Sequence, residues 1–318
     1  MKTGIFIFVV NVFVCAVLAG CEKNVDFRGK ELPPKMVINS IIGTASDTCW
    51  IKVSESVFDF SDQSPDTVKN PKIQLSINSK KCDGIWLDTI IGVHSYYKFV
   101  AGKLNVGDRI DISAATQKHG TVSGYDIVPD TVEIKNIETE WFMKKDDRSY
   151  LRMHVTFKDK PGERNFYRII VKTYSILINP ADQKPTNQWY SEKVYIDDEM
   201  LFHNPAETDE EGKMYNHYRM FSDDLIDGKE YTLNIHIENY NEANNPDLDY
   251  VEEYVKVELH TLSEKLYRNL HSQELAYGTI GDVFVEPVKI YTNIKGGYGI
   301  FGAYNVSEKI KCLGKKGV

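Results

Sequence analysis

Tyr231-Thr232-Leu233-Asn234-Ile235-His236-Ile237-Glu238 decides the fold class. Leu233, Ile235 and Ile237 fall on one side of an extended chain, and Asn234, His236 and Glu238 on the other, because side chains alternate along a strand. The same period of two recurs at Val132–Trp141, Tyr150–Phe157, Phe166–Ile178 and Tyr254–Leu259. Further upstream it marks Met36–Ile42, Thr48–Ser54, Lys72–Ile77, Ile85–Ile91, Tyr96–Val100 and Arg109–Ala114, separated by Gly, Asn, Asp and Pro. Short strands at roughly 8–12-residue spacing, with no helices between them, predict antiparallel sandwiches. The 19 tyrosines and 14 phenylalanines, set among Val, Ile and Thr, fit half-buried pleated sheet.

Pro129-Asp130 is the best internal boundary. The expected organisation is mainly β: two antiparallel β-sandwich domains of immunoglobulin or fibronectin type, over residues 36–129 and 130–310, with a tail at 311–318. One short helix is expected near the C-terminus. Ser263 suits its N-cap, Glu264 its first turn, and Leu266, Tyr267 and Leu270 share one side. Leu262 is placed to staple against Tyr267, and Gly278 to end the run. So isolated a helix is expected to cover a sheet edge or face.

The first residues read as an export signal. Met1-Lys2-Thr3 is a small basic start, Gly4 to Leu18 is almost wholly apolar, and Leu18-Ala19-Gly20-Cys21 follows. A membrane span needs roughly 20 apolar residues, and this run is shorter. The terminal cysteine makes it resemble a bacterial lipoprotein signal. That resemblance implies removal of residues 1–20, lipid on Cys21, and attachment to a membrane without any protein segment entering it. Glu22 to Lys35, polar and carrying Pro33-Pro34, completes a flexible tether over residues 21–35.

Removing residues 1–20 takes away one lysine and no acid, leaving a net charge of about −9 against −8 for the whole chain. An acidic body argues against nucleic acid as a partner. Cys49, Cys82 and Cys312 remain after processing, an odd number for an exported protein. Cys49 and Cys82 are either a bridge between neighbouring strands or buried small hydrophobes.

No pattern for catalysis, cofactor binding or a metal site stands out. His236 and Glu238 on one strand face offer two metal ligands, but a solvated face opposite a buried stripe is the expectation. The acidic stretches Asp197 to Glu199, Glu207 to Glu211 and Asp247 to Glu253 do not match an EF-hand loop. Gly297-Tyr298-Gly299-Ile300-Phe301-Gly302 spells the dinucleotide fingerprint, yet the chain ends too soon for the required βαβ unit. A tight turn or bulge is expected instead, with Tyr298, Phe301 and Tyr304 in a closing strand.

The insertion over residues 179–229 is longer than a hairpin loop and rich in aromatics, including Trp189, Tyr190, Tyr195, Tyr215 and Tyr218. Rings with polar tips suit a contact surface for protein or sugar, which makes Trp189, Tyr190, Tyr215 and Tyr218 candidate ligand or partner contacts. Equally, Tyr195 and its neighbours form one more strand.

Several segments together resemble one family of Bacteroidota outer-membrane lipoproteins, known as domain of unknown function 4249. These are Cys21-Glu22-Lys23, Lys35-Met36-Val37-Ile38-Asn39-Ser40, Asn165-Phe166-Tyr167-Arg168, Phe221-Ser222-Asp223-Asp224 and Leu262-Ser263 with Tyr267. The most specific is Asn293-Ile294-Lys295-Gly296-Gly297-Tyr298-Gly299-Ile300-Phe301-Gly302-Ala303-Tyr304. The resemblance implies a lipid-anchored outer-membrane protein, often encoded beside a TonB-dependent transporter, and brings no catalytic residues. A non-enzymatic accessory protein is therefore expected, displayed on the cell surface rather than the periplasmic face, binding a nutrient or the transporter. A stand-alone glycan-binding or adhesion module is the alternative.

Overall fold

The computed structural model describes residues 32–57, 66–144, 148–178, 185–197, 201, 218–238, 249–277, 286 and 288–315. Its elements belong to one body, Pro34–Ser56 with Ser64–Val318; the other unit, Met1–Pro33 with Val57–Gln63, falls almost wholly outside the described residues. Cys21 lies there too.

The body opens with β1 (Met36–Gly43), β2 (Thr48–Glu55), β3 (Lys72–Ile77), β4 (Lys80–Cys82), β5 (Trp86–Ile91), β6 (His94–Val100), β7 (Arg109–Thr116) and β8 (Gly120–Ile127). Beyond Pro129 come β9 (Ile134–Met143), β10 (Ser149–Lys158), β11 (Phe166–Ile178), β12 (Pro185–Ser191), β13 (Val194–Ile196), β14 (Met220–Ser222), β15 (Glu230–Glu238) and β16 (Asp249–Leu262). Helix α1 (Glu264–Tyr277) and β17 (Tyr298–Lys315) close the chain. Among the described residues the fold is mainly β, with sandwiches and one short helix, as the sequence predicts.

One nine-stranded sheet runs β12-β11-β16-β17-β1-β2-β6-β5, with β14 paired to β11 off that path. Two four-stranded sheets, β13-β15-β10-β9 and β4-β3-β7-β8, are the others among the described residues. Two cores result. Leu233, Ile235 and Ile237 of β15 meet Val155, Met153 and Leu151 of β10 in register and pack against Ile169, Val171, Val255 and Val257 of the long sheet. In the other core Leu75, Ile110 and Ile112 pack against Ile38, Ile51, Val53 and Phe99. Every inward position named here is one of the alternate apolar residues of its strand, which is why burial specifies the register.

β17 joins the two sandwiches. Its first residues pair with β1 in parallel, Val37 with Tyr298 through Gly43 with Tyr304. From Tyr304 onward it pairs antiparallel with β16. Ile294, Phe301 and Ala303 enter the core otherwise built before Pro129, so the closing strand serves both halves of the chain.

Helix α1 starts as its sequence directs: Ser263 Oγ accepts from the Leu266 amide at 3.1 Å. Leu266 and Leu270 pack with Leu262, Phe166, Met220 and Ile300 in a third cluster. Tyr267 stacks on Phe166 at 4.2 Å between centroids. The helix thus covers a sheet face. Among the described residues no helix is long and apolar enough to cross a membrane.

Candidate functional site

Among the described residues a groove of about 490 Å³ lies on the outer face of the sheet β4-β3-β7-β8. Strand register builds its floor from two rows. Gln74 of β3 stands opposite Ser113 of β7, which stands opposite Ser123 of β8, which bridges to Lys295. In the next row Lys81 of β4 faces Ser76, then Asp111, then Tyr125. Residues opposite one another in antiparallel strands share a face, so these polar side chains line the groove while Leu75, Ile112 and Val122 turn to the core.

The far wall is the segment leading into β17. Lys295 and Ser123 exchange backbone hydrogen bonds, Lys295 N to Ser123 O at 2.7 Å and Ser123 N to Lys295 O at 3.1 Å. Asn293 donates through Nδ2 to the Phe301 carbonyl at 2.7 Å and accepts from the Phe301 amide at 2.9 Å, which locks the wall to β17. Gly124 permits the close approach: a Cβ there would meet Ile294 at 2.7 Å.

Charge in the groove is unevenly committed. Arg109 grips Asp111 with Nε and Nη2 at 2.7–3.1 Å and lies 3.8 Å over the Tyr125 ring. Asp111 holds the Arg109 pKa above its ordinary value through these hydrogen bonds. Among the described residues Lys81 and Lys295 are in no ion pair, and they stand at opposite walls. Hydroxyls and a carboxamide on the floor, with an ammonium at either side, suit a polyhydroxylated ligand bearing negative charge.

The sequence-derived candidates lie elsewhere. Trp189 and Tyr190 belong to β12, where they pair with Tyr174 and Thr173 at one edge of the long sheet. Tyr218 is half-buried beside the helix; its hydroxyl donates to Gln273 at 2.9 Å and its carbonyl accepts from Arg168 Nε at 3.0 Å. Tyr215 lies outside the described residues, as do Glu207 to Glu211 and Gly278. Tyr195 sits in β13, the extra strand of the expectation's second branch.

His236 departs from its expected solvated face. It is buried, because β13 carries Tyr195 across it in a stack at 5.1 Å while Phe142 and Tyr150 approach edge-on. Its Nδ1 lies 2.8 Å from Asp197 and its Nε2 3.1 Å from Lys144 Nζ, so both ring nitrogens have protein neighbours. Burial raises the Asp197 pKa, but the hydrogen bonds and charges of His236 and Arg152 outweigh it and bring the pKa below its ordinary value. Glu238 pairs with Arg148 at 3.3 Å. The three described cysteines are free thiols, and burial pushes the pKa of Cys49 up to about 11.

A family model described as Domain of unknown function (DUF4249) matches residues 22–310. The chain belongs to that family. No curated protein matches it. Among solved structures, the Yersinia pseudotuberculosis adhesin InvE is similar at 12% identity and a TM-score of 0.20, over 71% of this chain and 55% of that one. The chain thus spans little more than half the length of that adhesin structure. The B domain of a biofilm-associated protein is similar at 6% identity and a TM-score of 0.18, over 91% of this chain and 88% of that one. Likenesses this slight say nothing about a ligand.

Within this DUF4249 chain the Phe221-Ser222-Asp223-Asp224 turn has a structural task. Asp223 Oδ2 accepts from the Asn165 amide at 2.7 Å, fixing the start of β11, and Asp224 pairs with Arg164 at 3.0 Å. Asp159, Asp223 and Asp227 bring carboxylate oxygens within 4.8 Å of one another. Each already accepts protein hydrogens: Asp159 from Tyr167 Oη and from the Gly228 amide at 2.8 Å, Asp227 from the Gly162 amide at 2.9 Å. These carboxylates clamp turns.

Proposed function

We propose that this protein is a lipid-anchored outer-membrane accessory protein that captures a small, polyhydroxylated acid in the β3–β7–β8 groove and hands it to a TonB-dependent transporter without chemical change. The groove carries this reading. Its two rows offer hydrogen bonds at every position, and its uncommitted charges are both positive in a chain whose net charge is −8. The cysteine at position 21 after an apolar leader supports a diacylglycerol anchor, and hence palmitate-type acyl chains, in a Bacteroidota outer membrane. Display at the cell surface follows from a role in nutrient capture.

Purification of the full chain from its native membrane in mild detergent tests the partnership. Recovery of a transporter barrel in stoichiometric amount is the expected result. Repeated isolation of the lipoprotein alone would favour a stand-alone glycan-binding or adhesion module, the reading that exposed aromatic residues elsewhere on the first sandwich also suit.

A further inference from the structure

β5 is the edge strand at the end of the nine-stranded sheet away from β12, and all six of its residues are exposed. Trp86 on this strand stands opposite Lys98 of β6, and Lys98 stands opposite Trp50 of β2. The two indoles and the ammonium therefore share one row on the outer face, away from buried Cys49, Ile51 and Phe99. Trp50 is 43% exposed and Trp86 45%. Scattered exposed apolar residues need no explanation, but two tryptophans in register at a sheet edge mark a contact surface.

Two inter-strand steps separate the indoles by about 10 Å, close to the distance between alternate rings of a flat, extended glycan. Between them, Lys98 Nζ lies 5.2 Å from the Trp50 centroid. The next row holds Lys52, Tyr96 and Thr89. The acid of β5, exposed Asp88, is bulged out of register between the two rows, and among the described residues neither lysine is in an ion pair.

We propose that this row is a binding platform for an extended, negatively charged polysaccharide. Alternate sugar rings lay their C–H faces on Trp50 and Trp86, and an anionic group on the ring between them pairs with Lys98. Stacking uses the large, rigid surface of the indoles. The negative charge is required because a chain spanning both rings passes over Lys98, and a neutral one would bury that ammonium without a partner. Nucleic acid is a poorer fit, since two lysines in a chain of net charge −8 give little of the phosphate neutralisation that dominates such binding. The platform lies on the long sheet and the groove on the four-stranded one, so the two stand independently.

Affinity electrophoresis of the detergent-solubilised full chain tests this, with polygalacturonate, dextran sulfate, neutral xylan or a thymidine oligonucleotide in the gel. Retardation by polygalacturonate or dextran sulfate but not by xylan is expected, and the pair of gels shows whether carboxylate or sulfate is the preferred anion. Trp50→Ala and Trp86→Ala should each weaken retardation about tenfold, and Lys98→Gln should abolish the preference for charge. Ser113→Leu, a charge-neutral change on the groove floor, should leave retardation unchanged, which separates failure here from failure of the groove. Both tryptophans are exposed, so unchanged melting of the variants confirms that folding is intact. No retardation by either polyanion, equal retardation of wild type and tryptophan variants, or oligonucleotide binding with the same tryptophan dependence would overturn the proposal. So would sedimentation showing a dimer of this chain that Trp86→Ala dissolves.

Discussion

Gly299 lies so close to Ile38 that a Cβ placed on it would sit 2.0 Å from the Ile38 carbonyl oxygen, and its φ of +103° is one that side chains rarely adopt. This contact occurs where β17 pairs in parallel with β1, at Ile38 opposite Gly299. The glycine is therefore the point at which β17 is admitted beside β1. Gly299→Val should destabilise the protein by ~3 kcal/mol or more, combining backbone strain with a clash against a backbone that cannot move aside. Gly314→Ala, with open space around it, should stay within about 0.5 kcal/mol. Denaturant midpoints compare the two.

Asp126 links the same strand to the helix. Its buried carboxylate accepts from Ser263 Oγ, which also caps α1, and from the Ala303 amide at 2.7 Å. Asp126→Ala leaves that buried amide unpaired and should lower stability by roughly 1–3 kcal/mol. Asp126→Asn keeps an acceptor oxygen and should lose less than half as much by thermal or chemical unfolding.

Acid should act on Glu258 and Asp126 in opposite senses. Burial raises the pKa of Glu258, but hydrogen bonds from His260, Lys172 and Lys256 outweigh it and hold the carboxyl at about 2, below its ordinary 4.5. A depressed pKa stabilises the folded state above the unfolded value, and that stability disappears as pH falls from 4.5 through about 2. Burial instead raises the Asp126 pKa above its ordinary 3.8, so its contribution favours the fold below that value and fades as pH rises. Unfolding free energies measured against pH should show Glu258→Gln flattening the acid-side slope, whereas Asp126→Asn should steepen it.

The period of two at Tyr231–Glu238 was enough to find β15 and to say which side is buried, because Leu233, Ile235 and Ile237 alternate without interruption. Ser263 was likewise readable as a cap from its own neighbourhood. His236 shows where local patterning stops: its face is covered by Tyr195, whose strand pairs with it across a separation no periodicity encodes. The parallel pairing of β1 with β17 is hidden for the same reason, although the glycines that permit it stand out in the sequence. The groove is not legible in the sequence either, yet Gln74, Ser76, Ser113 and Ser123 leave a trace. These four put uncharged polar residues side by side at outward positions of three strands, where lysines and glutamates are common on a purely solvated face. Only pairing with Lys295, far along the chain, turns that trace into a site.

Isothermal titration calorimetry with galacturonate measures the groove directly. The account predicts one-to-one binding to the wild-type chain, loss of that heat in Ser113→Leu, and weakening in Lys81→Ala and Lys295→Ala, all with unchanged melting temperatures. Equal heats from wild type and Ser113→Leu, or no heat from the wild type with galacturonate or its sugar-acid relatives, would contradict it.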